Sequence, residues 1–207
     1  MKQAESLLRQ GLADLPLDAS ESQVQLLLSF LRLLLKWNRV YNLTAIDRPE
    51  EMVGLHLLDS LAVLPYLGGE RILDVGTGAG LPGIPLALFE PDRQFVLLDS
   101  NVKKTRFVTQ AAIELGLRNV RVEHARIEQY QPAVGFDPVI CRAYAALPEI
   151  VRQTRRLLKP GGRILALKGK LEESEIAPIA GAEMQAFRLD VPGVEAERHV
   201  VAITVRD

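Results

Sequence analysis

Asp74 is followed by Gly76, Gly78, Gly80 and Gly83, four glycines within eight positions. Just ahead of them, Arg71 to Asp74 reads as a short buried strand ending in a carboxylate. Ile84 to Phe89, just after, reads as an apolar helix. Glycine lacks a Cβ, so the chain can turn with positive φ and let a ligand approach its backbone. A strand, a glycine turn and a helix N-terminus offer free N–H groups and a positive dipole end to a crevice. Asp99 closes a second apolar run, Gln94 to Leu98, and lies 21 residues beyond Gly78. At that separation a carboxylate on the next parallel strand meets a ribose diol. Gly78, Gly80 and Gly83 also spell G-x-G-x-x-G, so a nicotinamide-dependent dehydrogenase is one reading of the same residues. The plainer alternatives are a turn that only lets a helix cross a strand, and a carboxylate that caps the next helix.

More polar residues fall where strands should end. Arg126, Ile127 and Glu128 follow a third strand, Val120 to Glu123. An apolar and an acidic residue there could flank a purine ring and accept from its amino group. Arg142 leaves a fourth strand, Pro138 to Cys141, and Lys168 ends a fifth, Arg163 to Lys168. Open α/β sheets bind ligands at this edge. His56 and Asp59 stand three apart on an expected helix from Pro49 to Leu64, hence on one face, although a lone helix histidine is more often structural. No His–Asp or Cys–His constellation and no metal-ligand spacing is evident. A dehydrogenase would also want a second substrate domain and a catalytic His or Tyr–Lys pair, and neither is visible.

These residues need an alternating scaffold. Lys103 to Leu115 is a helix stopped by Gly116, and Pro148 to Leu158 is another, before the Lys159-Pro160-Gly161-Gly162 turn. A short Glu-rich helix, Glu172 to Ile179, precedes two strand-like runs. The last, His199 to Val205, should complete an antiparallel edge pair. Ahead of the glycines, Met1 to Leu64 reads as helical. Ser20 and Gln23 form a capping box, and an apolar face from Leu26 to Trp37 lies opposite Arg32, Lys36 and Arg39. That basic stripe, with Arg152, Arg155, Arg156 and Lys159, would suit a polyanion or an RNA-binding assembly factor. It would equally suit a solvated face and helix-dipole compensation.

The chain has 207 residues, 48% of them apolar, enough for one domain with an appendage. Its net charge of −1 gives no global nucleic-acid signal. One cysteine, Cys141, makes no disulfide framework. No signal peptide or uninterrupted membrane span is read, so the cytoplasm is the expected location and a monomer the default.

Asp74, Gly76, Gly78 and Gly80 also fit D-x-G-x-G-x-G, the form of S-adenosylmethionine-dependent methyltransferases. Taken together, KWNRVYNLT, HLLDS, DVGTGAGLPGIP, LLDSNVKK, CRAYA and ALKG resemble the bacterial small-subunit (16S) ribosomal RNA guanine-N7 methyltransferases, also called glucose-inhibited division protein B. The match covers nearly the whole chain. It implies a Rossmann-like class I methyltransferase with a mostly parallel seven-stranded sheet, helices on both faces and an antiparallel C-terminal edge. Residues 1–67 would be an N-terminal helical extension packed on a cofactor-binding core at 68–207. It also implies S-adenosylmethionine as cofactor, no metal, and small-subunit ribosomal RNA or the 30S particle as partner. Guanine N7 would attack the methyl in line without a general base. Carried over by motif, Gly76, Gly78 and Leu81 would contact the cofactor, Asp99 its ribose, and Ile127 and Glu128 its adenine. Arg142 would line the place where cofactor and base meet. Asn42, Arg126 and Lys168 would serve the RNA or the reaction. Cys141 stands where the family often has serine, and Ile127 where valine is common.

Overall fold

The computed structural model describes residues 1–171, 175 and 178–206. Seven strands form one sheet: β1 (Arg71–Val75), β2 (Gln94–Asp99), β3 (Val120–His124), β4 (Val139–Arg142), β5 (Arg163–Lys168), β6 (Ala182–Arg188) and β7 (His199–Val205). Their order is β3-β2-β1-β4-β5-β7-β6. The first five pair in parallel, while β7 pairs antiparallel with both β5 and β6. The C-terminal pair therefore lies where the alternating apolar pattern put it.

Side chains alternate across a strand, so a sheet covered on both faces sends odd and even residues to different cores. Ile72, Phe95, Leu97, Ile140 and Leu165 join one apolar cluster. Leu73, Val75, Val96, Leu98, Val139 and Ile164 join the other. The first is filled by α1 (Lys2–Asp14), α2 (Glu21–Tyr41), α5 (Gly83–Phe89) and α6 (Val102–Glu114). The second is closed by α7 (Leu147–Thr154), through Leu147, Ile150 and Val151. Asp74 alternates onto the first face, beneath the start of α5. Successive strands run outward from β1 to β3, then resume at β4 on the other side of β1. The crevice beyond the tips of β1 and β4 is thus a topological switch point.

The capping box is present: Ser20 Oγ accepts the Gln23 N–H, and the Gln23 side chain accepts the Ser20 N–H. Phe30 and Trp37 of α2 seat on Phe107 of α6, with ring centroids 6.2 and 5.6 Å apart. The single helix expected from Pro49 to Leu64 is replaced by α3 (Pro49–Met52), a π-helical turn (Val53–Leu58) and α4 (Asp59–Leu61). A 3₁₀ turn follows at Leu64–Tyr66. The expected helix at Pro148–Leu158 stops at Thr154 and tightens into a 3₁₀ turn, Arg155–Leu157. Its basic cluster is largely engaged inside the chain. Arg152 pairs with Glu149, Arg156 donates to the Tyr130 and Ile127 carbonyls, and Lys159 approaches Asp137. The Glu-rich helix expected at 172–179 lies largely outside the described residues.

Candidate active site

The glycine turn is braced from below. Asp74 is fully buried and points away from the crevice: Oδ2 accepts the Thr77 hydroxyl at 2.6 Å and the Gly83 N–H at 2.9 Å. Burial outweighs these bonds and pushes its carboxyl up to about 6. Among the described residues its Oδ1 has no hydrogen-bond partner. Gly76 and Thr77 donate their N–H groups to the Leu98 carbonyl, and Gly80 and Leu81 donate theirs to Thr77. The Gly78 N–H donates to Asp99 Oδ2 at 2.9 Å. The free N–H groups expected from the sequence are therefore mostly taken. The tip of β2 and a strand-end carboxylate supply acceptors that spacing could not reveal. A pyrophosphate at the start of α5 would have to displace Asp74 from Gly83, which removes the physical basis of the dinucleotide reading.

Two glycines are dictated by contact. A Cβ on Gly83 would lie 2.2 Å from Leu97 and 2.7 Å from Asp74 Oδ2. Gly76 has φ +66°, and its Cβ would lie 2.6 Å from the Tyr144 ring. That ring is fixed by Tyr144 O–H donating to Gln153 at 2.6 Å.

Two cavities open beyond the strand tips. The smaller, about 330 Å³, is walled by Asp99, Arg126, Ile127, Glu128 and Tyr144. The larger, about 590 Å³, is walled by Thr44, His56, Asp59, Leu81, Arg142 and Lys168, with Gly78 at its floor. Both touch Gly76, Lys104 and Ala143, so they are two lobes of one site. Nine of the ten positions singled out in the sequence reach one lobe or both. Asn42 reaches neither: it is the exposed left-handed C-cap of α2, with φ 49°. The next residues, Leu43 and Thr44, line the larger lobe instead. Asp99 Oδ1 accepts the Asn101 N–H at 2.8 Å, so each oxygen holds one backbone bond and keeps a lone pair for the smaller lobe.

Arg142 is held by two residues from the helical segment. Its guanidinium donates to the Leu55 carbonyl at 3.0 Å and to Asp59 Oδ2 at 3.1 Å. The π turn prepares this. The Asp59 N–H donates to the Gly54 and His56 carbonyls, leaving the Leu55 carbonyl turned toward Arg142. Asp59 Oδ1 accepts from Arg198 at 3.0 Å. His56 is 5% exposed, and burial foremost, then the Arg142 charge, lower it to about 4, so its ring is neutral. Its Nδ1 faces the Leu55 carbonyl and carries the proton, which leaves Nε2 to accept the Thr44 hydroxyl at 2.9 Å. Lys168 pairs with Glu175 at 2.7 Å. The Cys141 thiol is buried and pushed up to about 12, the environment of a packing residue rather than a nucleophile.

Lys104, Tyr144 and Arg198 were not singled out as site residues. The paired lysines after the second strand and the Glu-Arg-His run before the last were the signals present. Only the fold brings them to the two lobes.

Residues 23–201 match the family described as rRNA small subunit methyltransferase G (GidB). A protein from Methylococcus capsulatus named ribosomal RNA small subunit methyltransferase G is 57% identical, over 95% of this chain and 97% of its own. One of the same name from Nitrosococcus oceani is 50% identical over 98% and 95%. Among solved structures, a SAM-dependent methyltransferase from Aquifex aeolicus superposes with a TM-score of 0.60 at 21% identity, over 79% of this chain and 97% of that one. The S-adenosylmethionine-dependent methyltransferase SibL gives 0.60 at 16% identity, over 91% and 71%. At those identities the likeness is one of fold.

Proposed function

The chain belongs to the rRNA small subunit methyltransferase G family, and from that premise we propose how the two-lobed cavity serves methyl transfer to small-subunit ribosomal RNA. S-adenosylmethionine, when bound, supplies an electrophilic methyl on a sulfonium. The residues fit such a donor. Asp99 keeps acceptor capacity beside the smaller lobe, Ile127 gives an apolar wall, and Glu128 gives an acceptor suited to an exocyclic amino group. Gly76, Gly78 and Leu81 border the larger lobe without side-chain bulk at the glycines.

The acceptor we assign is N7 of a guanine in a loop of 16S ribosomal RNA. Guanine N7 carries an in-plane lone pair and no proton, so no side chain has to act as base. The neutral His56, tied to Thr44 and Leu55, is then a structural member of the wall. The protein's part is orientation, a contribution of order 7–11 kcal/mol at best. Arg142, clamped by Leu55 and Asp59, and Lys168 would donate to O6 or a phosphate oxygen and leave N7 open. The base must leave its stack, at a cost of a few kcal/mol, which is least in loop RNA. Arg126 at the rim, and Asn42 at the end of α2, would meet the RNA. So would the exposed Arg32, Lys36 and Arg39 of α2 and Lys103 and Arg106 of α6, since these helices pack side by side. No helix among the described residues is long and apolar enough to cross a membrane. We place the enzyme in the cytoplasm as a monomer, acting on RNA within a 30S particle or its precursor.

The observation that carries this reading is the placement of Asp99 and Arg142 in adjoining lobes that share Gly76. Purified protein given radiolabelled donor should label N7 of one guanine in unmodified small-subunit RNA or particles. Asp99→Ala and Arg142→Ala, each checked for native circular dichroism, should lose ~10-fold or more of that transfer, as expected when a hydrogen bond to a charged group is removed. Undiminished transfer by both would overturn the site assignment. Label at another atom would overturn N7.

A further inference from the structure

The larger lobe is cationic. Lys104, Arg142, Lys168 and Arg198 all line it, and Asp59 is the one carboxylate among its described lining residues. Such a wall suits a polyanion and opposes a donor whose reactive centre is itself positive. Asp59 answers that conflict by its placement. It is 5% exposed, and its two oxygens receive two arginines from the same edge of the sheet: Arg142 at the tip of β4 and Arg198 just before β7. Both arginine side chains line the lobe and remain about one-fifth exposed, at 21% and 22%. Lys168 has its own counter-charge in Glu175. His56 adds no charge, being neutral.

We propose that Asp59 is a specificity-determining residue that sets the preference between the charged donor and its uncharged product; this rests on the cofactor reading above. Methyl transfer moves CH₃⁺ from the sulfonium to the base nitrogen, so S-adenosylmethionine becomes S-adenosylhomocysteine, a neutral thioether. The two molecules share every other group. A charge in the wall therefore acts on the difference between them, whereas a purely mechanical clamp acts on both alike. Asp59 holds Arg142 and Arg198 as hydrogen-bond donors for RNA while cancelling part of their field at the sulfur. A unit charge acting over roughly 10 Å at an effective dielectric constant of about 20 changes binding ~10-fold.

Calorimetric titration of the whole protein with each molecule, without RNA, tests this. The readout is the ratio of the Kd for S-adenosylmethionine to that for S-adenosylhomocysteine. Asp59→Asn keeps shape and removes the charge, and should raise the ratio about tenfold. Asp59→Glu keeps the charge and should leave it within about twofold of wild type. A ratio unchanged in folded Asp59→Asn, even if both molecules bind more weakly, would overturn the proposal and leave Asp59 a clamp. Should Asp59→Asn fail to fold, Arg198→Gln decides. Removing that cation should lower the ratio, and an unchanged or raised ratio would overturn the proposal. Wild-type protein that binds neither molecule would overturn the cofactor reading itself, and this inference with it.

Discussion

Asp74 and Gly76, two residues apart, show how one side chain and one missing side chain shape the same turn. Asp74 lies beneath it, bonded to Thr77 and Gly83, and reaches no ligand surface. Gly76 lies on top, against Tyr144. Gly76→Ala meets two penalties. A left-handed φ costs a residue with a Cβ about 1–2 kcal/mol, and the new methyl would collide with a ring anchored by Gln153. We expect Gly76→Ala to lower the unfolding midpoint and to weaken binding of S-adenosylmethionine, read by thermal unfolding and calorimetry. Adding Tyr144→Ala should recover part of the loss by removing the collision, while the backbone penalty stays. A double variant no better than the single would sink the steric account.

Whole elements were read from the sequence where one local signal dominates. Ser20 and Gln23 declared the start of α2, and Ser20→Ala should cost about 1 kcal/mol in a urea titration while leaving methyl transfer per folded molecule unchanged. Short apolar runs bounded by Gly, Pro and charged residues declared β1 to β5. The alternation in His199 to Val205 declared β7. Signals that arise between elements were not legible. The helix expected from Pro49 to Leu64 contains a π turn because its hydrogen-bond ladder slips at Gly54, and a spacing of three between His56 and Asp59 reads the same in either ladder. The free N–H groups expected at the glycine turn are occupied by Leu98, Asp99 and Asp74, an outcome that depends on how far β2 advances beside β1. Asp99, Arg142 and Lys168 could be placed at the right edge because each ends its own strand. Arg198 could not, because its partner Asp59 lies 139 residues away.

At the scale of the molecule, two buried groups give stability opposite dependences on pH. His56 falls from its ordinary 6.5 to about 4. Its contribution is complete above pH 6.5 and is lost as acid protonates the unfolded chain first. Asp74 rises from 3.8 to about 6. Its contribution is complete below pH 4 and is lost as the pH climbs through 6, where a carboxylate must be charged while buried. Each shift is of order 3 kcal/mol, so between pH 4 and 6 the two slopes largely cancel. Relative to wild type, Asp74→Asn should gain ~2 kcal/mol between pH 4 and 6, and His56→Gln should lose a similar amount over the same interval. Denaturant titrations at both pH values would measure this, and differences independent of pH would refute it. A last consequence concerns turnover. The braces under the glycine turn, Thr77 to Asp74, Gly78 to Asp99 and Gly83 to Asp74, form within the polypeptide alone. On the proposed cofactor reading, a fresh donor would meet a finished seat and spend little freedom on setting a loop in order. Swapping spent for fresh would then proceed at the pace of encounter and escape, which stopped-flow binding of S-adenosylmethionine, linear in its concentration and without a slower second phase, would check.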